Sequence, residues 1–271
     1  MNVRDYITNT INLANNIFEQ KGKVFVYGKR EKIPTQMSYR SELNVSPVLN
    51  LKDAQEYQQF IRIAHWIIEL RRVEIIYELS LLSINLDMQR KWHTEALLGL
   101  FFYFDKVYGK TDHMIPNVDT SMEIEMNWLK RIYGKDNEEE IPANTPESLG
   151  NPISVNVFVD ASHAGENITY LSHTGILIYV NNTRIDWFYK RQNTVETSKF
   201  GAKLLAARID IEKVKALHIK LRWLGIPIDG PTYMFWNNGI VVKSTSRVES
   251  TLSKKHQSIY WHSIREAISA G

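Results

Sequence analysis

The sequence contains no cysteine, which removes disulfides, thiolate metal sites and a cysteine nucleophile from consideration. No apolar run approaches the roughly 18 residues of a membrane span. The first residues, Met1 to Thr10, are polar and lack the apolar segment of a secretory signal. These absences lead us to expect a soluble intracellular protein, cytoplasmic or nuclear, with no membrane partner. Proline is scarce, 8 in 271 residues, and three of the eight (Pro142, Pro146, Pro152) crowd one short stretch. Acidic residues are scarce in the second half. Residues 1–150 hold 18 Lys and Arg against 21 Asp and Glu, whereas residues 151–271 hold 15 against 9. A balance that moves from −3 to +6 hints at a polyanionic partner for the second half, or simply a solvated basic surface.

Ordinary globular material is present. Apolar residues make up 44% of the chain and charged residues 23%, which argues against wholesale disorder. Residues 3–19 carry apolar positions at helical spacing. Tyr57, Phe60, Ile61, Ala64, Ile67 and Ile68 mark one face of a second helix, with Asp53 in its first turn where the dipole favours an acid. Further helices are expected over Val73–Leu86, from Gln89 to Tyr108 with Gly109 as stop, and around Trp128–Ile132. The acidic run Asp136-Asn137-Glu138-Glu139-Glu140 and the prolines that follow disfavour packing. We therefore expect a mainly helical region over 1–135, a linker over 136–151 and a second domain over 152–271.

After Pro152 the pattern becomes that of a sheet. Strands are expected over 153–160, 173–180 and 184–189, the last two joined by a tight turn at Asn181-Asn182. A long helix capped by Ser198 follows and runs to Trp223, where Gly225 and Pro227 stop it. A fourth strand covers 232–236, and helices cover 238–243 and 254–269. Three hairpin-linked strands and a helical crossover to a parallel strand define an α/β fold: a mixed sheet of three antiparallel strands plus one parallel. The chain is organised around Val157-Phe158-Val159-Asp160-Ala161-Ser162-His163-Ala164-Gly165, a buried strand that delivers one carboxylate to the sheet end.

Four stretches in order resemble the ribonuclease H region of copia-type retrotransposon polyproteins. They are Phe158 to Gly165; Ser172-His173-Thr174-Gly175; Lys190-Arg191-Gln192-Asn193-Thr194-Val195-Glu196-Thr197-Ser198; and Lys255-His256 through Tyr260, His262 and Arg265-Glu266. Upstream, Tyr39 to Leu43, Trp66 to Glu69, Glu78 to Ser83 and His93 to Ala96 resemble the thumb and connection segment between polymerase palm and RNase H. The resemblance implies an RNase H-like mixed sheet, Mg²⁺ in the family, and RNA–DNA hybrid or duplex nucleic acid as partner. The polymerase portion of the polyprotein is a further implied partner. The polymerase motif Tyr-x-Asp-Asp is nowhere in the chain. Family members continue into a fifth strand and an Ala-Asp-containing helix; the sequence ends at Gly271 ahead of both, which implies a C-terminally truncated domain.

Two-metal phosphodiester hydrolysis needs clustered carboxylates, because hard divalent ions take anionic oxygen ligands. The resemblance places the first carboxylate at Asp160, which is retained. The second position holds Lys203 and the third holds Asn237, so one acid has become a base and another an amide. Any metal at Asp160 would be held weakly at best, and no cofactor is expected. Lys203 is expected to pair with Asp160, its ammonium within about 6 Å; a solvent-directed Lys203 is the alternative. Glu196 precedes the helix cap and is not expected to substitute for the lost acid. Asp210, two turns or about 10 Å beyond Lys203, should not reach the site.

His163, Lys190, Arg191, Lys254, Lys255 and His256 are candidate nucleic-acid contacts, each against the plainer reading of a turn or solvated base. Trp187, Trp223 and Trp236 read as core or rim. The expected function is that of a catalytically degenerate remnant, a pseudoenzyme. The alternatives are a non-catalytic hybrid- or duplex-binding module, or a decaying reading frame without a role.

Overall fold

A computed structural model of the chain describes residues 3–20, 39–70, 72–107, 126–133, 141, 143–247, 249–252 and 255–270. It divides into two compact units, residues 1–114 and 115–271.

The first unit is helical. Helices α1 (Val3–Gln20), α2 (Leu51–Glu69), α3 (Ile76–Ser83) and α4 (Lys91–Val107) build it. Asn50 caps α2, its side chain accepting from the Asp53 N–H at 2.9 Å, which satisfies a donor the first helical turn leaves open. The six apolar positions expected on one face of α2 are all buried. They meet α3 and α4: the Tyr57 hydroxyl donates to Leu82 O at 2.9 Å, and the Phe60 and Phe101 rings lie 5.3 Å apart. The helix expected from Val73 opens instead with a 3-10 turn, Val73–Ile75, and its regular part ends at Ser83. Ser83 Oγ turns back to Leu79 O at 2.7 Å, a local bond that competes with helix propagation. The expected stop at Gly109 lies outside the described residues.

The second unit holds strands β1 (Val155–Ala161), β2 (His173–Val180) and β3 (Thr183–Arg191), then α6 (Lys199–Trp223), β4 (Tyr233–Trp236), α7 (Gly239–Ser246) and α8 (Ser258–Ala270). Strand order is β3-β2-β1-β4, with β1 antiparallel to β2, β2 antiparallel to β3 and β1 parallel to β4. Alternation along β1 puts Val155, Val157, Val159 and Ala161 on one face, buried with Ile176 and Ile178 beneath Ala206, Val214 and Leu221 of α6. The opposite side of α6, with Leu204, Ala207 and Ile211, packs on Val241, Trp261 and Ile264, so α7 and α8 form a second helical layer. Asn181 takes φ 51° in the β2–β3 turn, a conformation asparagine tolerates.

Ser198 caps α6 as expected, accepting from Gly201 N–H at 3.1 Å. Ser198→Ala is expected to cost about 1 kcal/mol, read as a lower urea midpoint with an unchanged slope.

Helix α5 (Met126–Tyr133) belongs to the second unit although it precedes the acidic and proline-rich stretch. It packs along α8, where Leu129 is buried and the Tyr133 hydroxyl lies 2.7 Å from His262 Nδ1. Leu149 N–H donates to Gly225 O at 2.7 Å, and Ile153 bridges in parallel to Ile228. The end of segment 136–151 is therefore bound to the loop after α6, while the acidic run itself lies outside the described residues. Among the described residues no helix is long and apolar enough to cross a membrane.

Candidate functional site

β1 and β4 run parallel, with Val159 paired to Trp236, so their C-terminal ends deliver Asp160 and Asn237 to the same end of the sheet. α6 crosses over those ends and contributes Lys203 from its second turn. Lys203 Nζ lies 2.8 Å from Asp160 Oδ1 and also donates to Asn237 Oδ1. The ammonium thus stands at the point on which the two oxygens converge. The Asp160 carboxylate additionally accepts from the Ala161 N–H at 2.7 Å. A shallow cleft surrounds the three groups, walled by Ala161, Ala206, Trp236 and Val241. Asn238 faces the same cleft, but its Oδ1 caps α7, accepting from Ile240 and Val241 N–H at 2.9 and 3.2 Å.

The Lys203 side chain is 18% exposed and that of Asp160 62%. With one partner largely in water, the pair has the energetics of a surface ion pair, about 1 kcal/mol or less. Its consequence is chemical rather than energetic. It places a fixed positive charge where the resemblance implies an acid. Among the described residues no group of three His, Asp or Glu side chains is placed to hold a metal ion.

The same end of the sheet gathers bases from distant parts of the sequence. His163 Nε2 lies 3.1 Å from Glu196 O, which ties the loop after β1 to the segment leading into α6. Glu196 Oε2 accepts from Gln257 Nε2 at 2.8 Å, so this carboxylate is directed to the turn before α8. A Cβ on Gly201 would collide with both of those side chains, which is why the first turn of α6 carries glycine there. The Gln257 bond brings the 3-10 turn Lys255–Gln257, with exposed Lys255 and His256, against the start of α6. Lys254 lies outside the described residues. Lys190 is exposed at the end of β3, and Arg191 Nη1 lies 3.3 Å from both carboxylate oxygens of Glu166.

Two acids stand out that the sequence pattern does not single out as it does Asp160. Glu166, in the loop between β1 and β2, is buried between Arg191, the Thr169 hydroxyl and His173 Nε2 at 3.7 Å. A lone glutamate in a polar turn carries no periodic signal; only the register that pairs His173 with Arg191 exposes its role. Asp210 is fully buried and receives the Trp236 indole N–H at 3.5 Å. Burial pushes its carboxyl up to about 7, against the lowering effects of the Trp236 hydrogen bond and of Lys213. It thus contacts the residue next to Asn237. Trp236 and Trp187 are half-buried, and Trp223 is exposed at the end of α6.

Curated proteins similar to this chain include the retrovirus-related Pol polyproteins from transposons RE1 and RE2 of Arabidopsis thaliana. Each is 22% identical over 239 residues, 88% of this chain. The chain spans 14% of the length of these relatives. No protein-family model matches the chain, and no solved structure does.

Proposed function

We propose that the chain is a remnant of the reverse transcriptase and RNase H region of a copia-type polyprotein, with its hydrolytic centre replaced by an ion pair. The observation that carries this reading is the Lys203 ammonium held between Asp160 and Asn237. The four-stranded mixed sheet with a helical crossover and the similarity to transposon Pol polyproteins support it. A two-metal centre needs several anionic oxygens around the ions. One carboxylate, one amide and one ammonium sum to zero charge and do not fit Mg²⁺, so no hydrolytic step follows from this donor set. A labelled RNA–DNA hybrid with Mg²⁺ or Mn²⁺ is expected to remain uncut, and Asp160→Asn is expected to change nothing. Metal-dependent turnover abolished by Asp160→Asn would overturn the reading.

The convergence of His163, Lys190, Arg191, Lys203, Lys255 and His256 on one end of the sheet favours a retained non-catalytic function, the binding of hybrid or duplex nucleic acid through phosphates. The protein partner this reading implies is the polymerase portion of such a polyprotein. Phosphate-led binding releases counterions. Each phosphate contact made by a lysine or arginine adds about −0.9 to the slope of log K against log salt. Affinity measured by fluorescence anisotropy across a salt series tests this; a slope near zero, or no binding at low salt, rejects it.

A further inference from the structure

We propose that His93 is an acid-released latch in the first unit: the neutral ring clips the 3-10 turn Ser41–Leu43 to the start of α4, and the protonated ring lets it go. His93 is 1% exposed and is the third residue of α4. Its Nε2 lies 3.0 Å from Ser41 O, and a carbonyl only accepts, so Nε2 carries the hydrogen. Its Nδ1 accepts the Arg90 N–H at 3.2 Å. Arg90 is the cap of α4, since its carbonyl accepts from the His93 and Thr94 N–H groups at 3.0 and 3.3 Å. A side chain at the third helical position that reaches back to the cap N–H usually does so with a glutamate or glutamine oxygen. Here an imidazole nitrogen takes that place, and it accepts only while the ring is neutral. One ring therefore holds the helix start with one nitrogen and the distant turn with the other.

The surroundings oppose a second proton on the ring. A proton on Nδ1 would face the Arg90 N–H donor to donor, leaving two buried N–H groups without an acceptor. A cation in the first turn of α4 also opposes the helix dipole. Burial pushes the imidazole below its ordinary value of 6.5; the Ser41 carbonyl pulls upward, and the Arg90 charge adds to the lowering. From α2 the Tyr57 ring stands 6.5 Å away, its hydroxyl given to Leu82 O and its ionisation pushed upward by burial. Within the turn, Glu42 acts on Tyr39 and not on the ring. The latched state thus takes up the proton less readily than the released one. The latch is fully closed above pH 6.5, weakens as pH falls below that, and levels off once pH passes the lowered folded-state value. Other ties keep the release local. Lys91 N–H donates to Pro47 O at 3.1 Å, Leu49 N–H to Gln89 O at 2.9 Å and Trp92 N–H to Ser46 Oγ at 3.1 Å, none of them through the imidazole. Ser41 is then tied to the helices by its hydroxyl bond to Leu81 O at 3.2 Å.

The test is hydrogen exchange read by mass spectrometry on the full chain, from about pH 8 down to about pH 5, with rates corrected for their intrinsic pH dependence. Protection of the peptide spanning residues 40–46 is expected to fall about tenfold per pH unit below 6.5, the slope of a one-proton opening. Peptides from α2 should hold theirs. His93→Gln supplies one donor group and one acceptor without a titrating group, so its protection should stay at the neutral-pH wild-type level throughout. Heteronuclear NMR of the wild-type imidazole nitrogens reads the same event from the ring: Nδ1 should stay unprotonated until the turn is released. Flat wild-type protection, an equal acid response in His93→Gln, or a ring that protonates while the turn stays protected would each overturn the proposal. So would a loss of protection across α2 and α4 together, which is general unfolding in place of a latch. If His93→Gln does not fold, the wild-type exchange profile and the ring titration still decide between these outcomes.

Discussion

Asp210→Asn is expected to remove most of a pH dependence that wild-type stability shows between about pH 4 and pH 7. Asp210 sits fully buried on α6, and burial lifts its folded-state carboxyl to about 7 from the ordinary value of 3.8. The proton is therefore held more tightly in the folded chain than in the unfolded one. Between the two values the folded state binds it and the unfolded state does not, so stability is fully present below about pH 4, falls as pH rises, and levels off above about pH 7. At 1.36 kcal/mol per pKa unit the loss approaches about 4 kcal/mol, and for a chain of this size roughly 10 °C in melting temperature.

The charged neighbour does not rescue the ionised form. Lys213 lies 3.4 Å from Asp186 on β3 and over the Phe188 ring, so it already has a partner of opposite sign. Asparagine preserves the acceptor for the Trp236 indole and never ionises. The variant should accordingly be the more stable protein at pH 8 and lose its advantage by pH 5. The difference between wild-type and variant melting temperatures across that range isolates this one carboxyl, since every other titrating group is common to both. Parallel curves would show that Asp210 titrates in the folded chain as it does in the unfolded one.

The uneven legibility of the sequence follows from what each feature depends on. β2 and α6 were readable because both depend on local signals. An apolar run bounded by turns set His173–Val180, and a serine cap with a glycine stop set Lys199–Trp223. The juxtaposition of Asp160, Lys203 and Asn237 enters through the resemblance, and the topology accounts for it. Two parallel strands must end on the same side, and a crossover helix must begin there. Asp210 does not line the cleft around Asp160, and its burial beneath Trp236 depends on the packing of β4 on α6, which no local pattern encodes. Glu166 was invisible because its environment is assembled from a loop, the start of β2 and the end of β3. The attachment of α5 to α8 was invisible for a related reason. An apolar stripe says that a helix will be covered, not by what, and Leu129 finds its cover far along the sequence, in α8.

Replacing Lys203 by Glu and Asn237 by Asp together is expected to create a divalent-cation site where the wild-type chain has an ion pair. Lys203 Nζ marks the point shared by oxygens of Asp160 and Asn237, so two of the three ligand positions already converge. The double change turns a set of charges summing to zero into three carboxylates. Each charge altered near the ion is worth about 4 kcal/mol at 4 Å in a medium of moderate effective dielectric, less as water enters. That is enough for Mn²⁺ to bind with a dissociation constant of roughly 10⁻³ M or tighter, the range of weak carboxylate sites. Three acids without a cation repel one another, so in chelator the double variant should melt below wild type and recover on addition of Mn²⁺. Lys203→Met with Asn237→Asp separates the two contributions: it removes the competing ammonium but supplies only two carboxylates, and should bind far more weakly. Calorimetric titration and melting curves with and without Mn²⁺ read both effects. Equal Mn²⁺ binding by wild type and double variant would mean that Lys203 does not stand in the cation's place, and the ion-pair account of this site would have to be abandoned.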